Sequence, residues 1–301
     1  MDKSRSVQKR TTGGGPNRFH AWIVSACVYA AAMMSLTNSL FPTTKPVIAM
    51  IHVGALPGTP ASGLSLAELE KQALRDAKIF CTAGVHGLML ENMHDTPYLR
   101  GSVGPEIVAS LAILARAVKD VSKLPCGIQI LAGANREAMA VAHAAGFDFI
   151  RAEGFAFAHV ADEGIIESSA AELLRYRRAI GAERVQVWAD VKKKHSSHAI
   201  TADVGIGETA HAVEFMLGDA VIVTGALTGD APRRADVLAV KRETRLPVYL
   251  GSGVTTANLK QFFAAADGFI VGSEFKQDRH WSRAVDPKRV GRFMEAHTRL
   301  S

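Results

Sequence analysis

The chain has 301 residues, 48% of them hydrophobic and 21% charged, so it can build a full core and global disorder is excluded. Its 26 glycines and 11 prolines rule out collagen-like or low-complexity architecture. Its three cysteines (Cys27, Cys81, Cys126) give neither a disulfide framework nor a CxxC zinc pair.

The formal charge of +6 is concentrated at the start, where Lys3, Arg5, Lys9, Arg10 and Arg18 face only Asp2. The remaining chain is nearly neutral, which argues against nucleic acid as a partner. Residues 1–44 read as a leader ahead of a body at 45–301. Within the leader, Ala21–Leu36 is an apolar run with three readings. It is a secretory signal with Ala30-Ala31-Ala32 as the cleavage region, a membrane anchor shorter than the usual span, or sequence upstream of a true start at Met33 or Met34. The last is favoured, because the rest reads as a compact soluble enzyme. Free thiols fit a reducing, cytoplasmic setting, with membrane association or targeting through residues 1–36 as the alternative.

From Pro46 onward, short apolar runs alternate with amphipathic stretches. In chain order the pattern predicts a strand at Val47–His52, a helix at Leu66–Ala83, a strand at Gly87–Asn92 and a helix at Val103–Val121. A strand at Gly127–Leu131, a helix at Asn135–Ala145, a strand at Phe149–Glu153 and a helix at Ser168–Ile180 follow. The second half repeats the unit: Val185–Asp190, Glu208–Leu217, Ala220–Thr224, Arg233–Glu243, Val248–Gly251, Thr255–Ala265, Phe269–Val271 and Pro287–Leu300. The strands are rich in Val, Ile, Leu and Phe without polar alternation, as buried parallel strands are. Ser65 with Glu68 makes a capping box, Thr255 or Thr256 caps another helix, and Gly84, Gly146, Gly181 and Gly218 stand where left-handed glycines end helices. Eight strand–helix units in about 250 residues predict an α/β fold, a single (β/α)8 TIM barrel preceded by the leader. A doubly wound sheet would have fewer strands and a Gly-rich first turn, which His52-Val53-Gly54-Ala55-Leu56-Pro57-Gly58 is not.

Barrel active sites lie at the carboxyl ends of the strands. His52 ends the first strand and Glu91-Asn92 the second. Arg151 and Glu153 share one face of the fourth, and Asp190 ends the fifth, followed by Lys192-Lys193-Lys194-His195. Thr224 ends the sixth, followed by Thr228. Lys276 lies just beyond the eighth. Only the third strand end carries no polar or Gly-Ser residue. Arg151 can pair with Glu153 or Asp190, which reads either as chemistry or as a buried network that holds the barrel. Lys194 and His195 suit acid–base work or Schiff-base chemistry, or a solvated loop. Gly251-Ser252-Gly253 and Gly272-Ser273, at the ends of adjacent strands, read as a phosphate cradle of backbone N–H and Ser hydroxyl groups beside a helix start at Thr255. Glu91, Glu153, Asp190 and His195 form an oxygen-rich set that suits Mg, Mn or Zn, although no fixed ligand spacing requires a metal.

Several of these segments resemble the BtpA/SgcQ family. They are Ile48-Ala49-Met50-Ile51-His52 with Leu56-Pro57-Gly58-Thr59-Pro60, Glu91-Asn92, and Phe149-Ile150-Arg151-Ala152-Glu153-Gly154-Phe155. Ala189-Asp190-Val191 with Lys194-His195-Ser196, Thr224-Gly225 with Thr228-Gly229, Gly251-Ser252-Gly253-Val254 and Gly268–Ser273 with Lys276 complete the set. The resemblance runs from about Lys45 to the C-terminus and implies a TIM-type barrel. Roles associated with the family range from photosystem I accumulation in cyanobacteria to carbohydrate use. Some members carry a phosphoribosylanthranilate isomerase label, which a shared phosphate cradle attracts by fold alone. The expected function is isomerase-, epimerase- or aldolase-type proton transfer on a sugar or nucleoside phosphate, by a chain that can form homo-oligomers. The alternative is a non-catalytic, membrane-associated assembly factor.

Overall fold

The computed structural model describes Leu40, Phe41, Thr43, residues 45–225 and residues 229–301. The apolar run Ala21–Leu36 and Thr228 lie outside the described residues. Eight parallel strands close into a barrel. They are β1 (Val47–His52), β2 (Gly87–Glu91), β3 (Cys126–Gln129), β4 (Phe149–Ala152), β7 (Gln186–Val191), β9 (Ala220–Val223), β10 (Val248–Leu250) and β11 (Gly268–Val271). Helices α1 (Leu66–Thr82), α2 (Pro105–Ser122), α3 (Asn135–Ala145), α4 (Ala170–Ala179), α5 (Ile206–Phe215), α6 (Arg234–Glu243), α7 (Leu259–Phe263) and α8 (Pro287–Thr298) follow the barrel strands in turn. No helix among the described residues is long and apolar enough to cross a membrane.

The strand residues sort by parity. On β1, Val47, Ala49 and Ile51 face the helices, while Ile48 and Met50 face inward. The inner floor is aromatic. Trp188 stacks on Phe149 at 3.9 Å and on Tyr249 at 4.2 Å, and Phe41 plugs the column from below at 6.2 Å. Missing side chains make room for these rings. A Cβ on Gly127 would stand 2.1 Å from the Phe149 ring, and one on Gly268 would stand 2.5 Å from Tyr249. This packed floor leaves only the carboxyl end of the barrel for chemistry.

Local signals act as the sequence implies. Ser65 Oγ accepts from the Glu68 amide while Glu68 Oε2 accepts from the Ser65 amide, closing the capping box of α1. Two expectations need correction. Gly218 does not end α5 in the left-handed region; Leu217 takes that conformation at φ 62°. The helix expected at Thr255–Ala265 shrinks to five residues, because Thr255 and Asn258 hydrogen-bond each other in a turn and Thr256 is drawn to Glu274. So short a helix adds no useful dipole to the neighbouring loop.

A further sheet was absent from the sequence reading. The hairpin β5 (His159–Ala161) and β6 (Gly164–Ile166), from the segment after β4, pairs with β8 (Ser196–Ser197), from the segment after β7, in the order β6-β5-β8. This small antiparallel sheet belongs to the two loops that leave the strands carrying Arg151 and Asp190.

Candidate active site

The register of the barrel brings the strand ends into one layer: His52 pairs with Glu91, and Glu91 with Gln129. On the remaining strands the register steps, with Arg151 opposite Trp188 and Asp190 opposite Ile222, and Arg151, Asp190, Thr224, Gly251 and Gly272 lie at or just past the carboxyl ends. Above this layer the barrel opens into a cleft of about 630 Å³, lined by His52, Glu91, Arg151 and Lys194, with the rims Gly251–Thr255 and Gly272–Glu274.

Arg151 resolves its two expected pairings in favour of Asp190. Its Nε and Nη2 donate to Asp190 Oδ2 and Oδ1, both at 2.9 Å, with the two side chains 4% and 1% exposed. Burial works against the guanidinium charge, but the Asp190 carboxylate outweighs it and raises the pKa. This fork holds the fourth and fifth barrel strands together at the mouth.

Glu153 lies one step higher. Its Oε1 accepts from Gln129 Nε2 at 3.0 Å, and its Oε2 faces Lys193 Nζ at 3.2 Å. Burial raises its pKa more than Lys193 lowers it. Glu91 is likewise raised, mainly by burial and against the pull of Lys194 and Arg151. Its Oε2 stands 3.5 Å from His52 Nε2. The Trp281 carbonyl accepts from His52 Nδ1 at 2.9 Å, so the other ring nitrogen, Nε2, is left as an acceptor toward Glu91. Burial and the nearby Lys276 charge push the His52 pKa down to about 3, so the ring is neutral.

The lysine run divides its roles. Lys193, between Glu153 and Glu163, stays charged: burial opposes this, and the two carboxylates raise its pKa. Lys194 faces the cleft; burial and the Arg151 charge lower its pKa. Lys192, a mouth candidate, turns away and donates to the Thr201 carbonyl at 3.1 Å. His195 is exposed beside β8, with its pKa lowered by partial burial, and does not line the cleft. Asn92 is a brace: its amide donates to Asp95 Oδ2 at 2.9 Å and accepts from the Leu131 amide at 2.8 Å.

Lys276 also needs correction. It turns outward from the barrel to Asp76 on α1, because the segment after β11 leaves through a 3-10 turn at Ser273–Phe275. The expected metal ligands do not form one set either. Asp190 is held by Arg151, Glu153 by Gln129 and Lys193, and His195 is exposed. No group of three His, Cys, Asp or Glu among the described residues could hold a metal ion.

At the rim, Gly253 has φ 66°, and a Cβ there would stand 2.1 Å from the backbone of Asp230 and Ala231. Ser252 Oγ donates to the Asp230 carbonyl at 2.9 Å and accepts from the Gly225 amide at 3.1 Å. Its hydroxyl proton is therefore used to join two loops, and what the rim offers an anion is main chain. Gly272 has no side chain, and a Cβ there would stand 3.2 Å from the His52 ring; Ser273 lines the cleft beside it.

Sequence reasoning missed three contributors. Gln129 closes the third strand two residues earlier than expected, so that strand end does carry a polar group. Its Oε1, like Thr224 Oγ1, is buried with no hydrogen-bond partner among the described residues. Parity along Gly127–Gln129 could have found it. Lys193 was hidden inside a charge run. Arg279 lines the cleft with its Nε 3.1 Å from Glu274 Oε2, three residues past Lys276.

Solved structures share this fold. Phosphoribosyl anthranilate isomerase from Thermus thermophilus aligns with a TM-score of 0.54 at 14% identity, covering 85% of this chain and 100% of that one. Thiamine phosphate pyrophosphorylase from Pyrococcus furiosus aligns at 0.54 and 10% identity, covering 85% and 96%. Sequence relatives are much nearer. An uncharacterized protein of Caenorhabditis elegans, described as mitochondrial, is 43% identical over 267 residues, covering 86% of this chain and 96% of its own. The photosystem I biogenesis protein BtpA of Synechocystis sp. is 34% identical over 257 residues, covering 85% and 89%. Residues 43–299 match the BtpA family as a whole, and the chain belongs to that family.

Proposed function

We propose that the barrel mouth binds a small phosphorylated metabolite and moves a proton on the carbon next to its carbonyl, as isomerases, epimerases and aldolases do. One observation carries this reading. Glu91, a buried carboxyl group with raised pKa, and Lys194, a lysine with lowered pKa, line the mouth whose opposite rim is the Gly251–Gly253 and Gly272–Ser273 backbone, and Glu153, also raised, is buried behind them against Lys193. Perturbed groups that converge on one cleft are the usual mark of acid–base chemistry. Solved structures of the same fold named for thiamine phosphate and phosphoribosyl anthranilate support the phosphate half of the proposal.

In this reading the phosphate rests on the rim amides near Arg279. Glu153, held by Gln129 and Lys193, takes the proton from carbon. Glu91 keeps its own proton and passes it to the carbonyl oxygen, with His52 Nε2 as the neighbour able to share it. Lys194 offsets the negative charge that builds on the carbonyl oxygen before the Glu91 proton reaches it.

A second reading, an assembly factor without catalysis, is favoured by the 34% likeness to a photosystem I biogenesis protein. Thermal unfolding with inorganic phosphate and a panel of sugar and nucleotide phosphates, each with and without Mg, Mn or Zn, tests both. A ligand at 100 times its Kd adds about 2.7 kcal/mol, or roughly 5–10 °C for a domain of this size. The proposal expects such a shift from a phosphate ester and its loss in Ser252→Asp, which puts a negative charge on the rim. No shift from any phosphate favours the assembly factor.

A further inference from the structure

Behind the mouth lies a second cavity of about 580 Å³, between α1, the outer side of β1 and the segment that follows β11. His52 belongs to the walls of both cavities. Lys276 lies at the inner end of the second one. It is 2% exposed, and among the described residues its ammonium meets Asp76 Oδ2 alone, at 3.4 Å. Asp76 Oδ1 is buried and accepts no hydrogen bond; Arg75 Nε stands 3.6 Å from it. Toward solvent the cavity is flanked by Arg75 and Arg283, both more than half exposed, with Arg283 paired to Asp278.

A buried ion pair holds its place only when its geometry is good and its remaining protons and lone pairs are satisfied. This one is long and incompletely satisfied on both sides. Three cations (Lys276, Arg75, Arg283) line the cavity with one carboxylate, Asp76, and a second, Asp278, pairs with Arg283 from outside the lining, while burial lowers the pKa of His52 and His94. Lys276 has ammonium protons to give, Arg75 stands beside it at Asp76, and Arg283 can exchange its exposed partner Asp278 for an anion in the cavity. The position lies outside the barrel, so the substrate cradle does not account for it.

We propose that this cavity is a second, separate binding site for a small oxyanion, a phosphate or carboxylate group held by Lys276 with Arg75 and Arg283. The Trp281 carbonyl holds His52, and Trp281 lines the same cavity, so an anion there sits directly behind the mouth wall.

Trp281 also makes the test direct, through its fluorescence in the full-length protein titrated with inorganic phosphate and, separately, acetate. A saturable change is expected that disappears in Trp281→Phe and persists in Ser252→Asp. It should weaken at least tenfold in Lys276→Gln and in Arg75→Ala/Arg283→Ala. The double variant alters exposed groups only and carries the test if Lys276→Gln does not fold. The tighter of the two anions names the ligand group. No saturable change with either anion, or an affinity unaltered in the Lys276 and arginine variants, overturns the site. The mouth proposal fails on a different result, a phosphate-ester thermal shift that Ser252→Asp leaves intact.

Discussion

Asp190→Ala is the most informative single change at the mouth. It removes both acceptors of the Arg151 fork, which is 2.9 Å at each prong with both side chains nearly fully buried. Removing one partner of such a pair leaves an uncompensated charge and costs about 3–5 kcal/mol. Glu91 and Glu153 already feel the guanidinium and replace part of the lost partner, which places the cost toward the lower end. At about 2–4 °C per kcal/mol for a domain of this size, Tm should fall by roughly 6–15 °C. Guanidinium chloride unfolding followed through Trp188, the register neighbour of Arg151, reads the loss directly. The companion Arg151→Met/Asp190→Ala takes away the stranded charge and fills its volume, so most of the stability should return. If the single variant lies within about 1 kcal/mol of wild type, or the double is no more stable than the single, the fork is not a buried, mutually dependent pair.

Other outcomes follow from the same geometry. Glu153→Gln keeps an acceptor for Gln129 and leaves Lys193 with Glu163, so the fold should survive while turnover falls by about 10²–10⁴; retained activity removes Glu153 from the mechanism. His52 has a folded pKa of about 3, below the ordinary 6.5, so its neutral form contributes stability that is present above 6.5 and lost as pH falls toward 3. His52→Gln should flatten the acid limb of the stability curve by up to about 1.4 kcal/mol per pH unit, measured by denaturant titration across pH 3–7. Gly127→Ala drives a methyl into the Phe149 ring and should cost about 1–3 kcal/mol or more; Phe149→Leu in the same chain should recover part of it in a thermal melt.

The repeating unit was legible because its causes are local. Buried parallel strands need continuous apolar runs, amphipathic helices need a 3.6-residue period, and Ser65 with Glu68 fixes a helix start by its own hydrogen bonds. Eight repeats imply closure, and closure places the carboxyl ends of the strands in one ring. That is why His52, Glu91, Arg151, Glu153 and Asp190 could be read as neighbours although as many as 138 positions separate them. The small sheet of β5, β6 and β8 escaped because it pairs segments from two different loops, and its two- and three-residue strands carry no periodicity.

Choices among partners belonged to the tertiary structure. Parity put Arg151 within reach of both Glu153 and Asp190, but only the closed barrel shows that Asp190 presents both oxygens to the guanidinium. In the run Lys192-Lys193-Lys194 each residue has the same local chemistry. Burial and facing carboxylates alone separate a charged brace, Lys193, from the lysine in the cleft, Lys194. Lys276 follows the eighth strand in sequence but lies outside the barrel in space, because the chain turns at Ser273–Phe275 toward α1. Sequence determines which groups arrive at the rim, since strand length and period are local. Which of them face one another, and with what charge, is decided by packing, because desolvation and Coulomb interaction depend on neighbours far away in the chain.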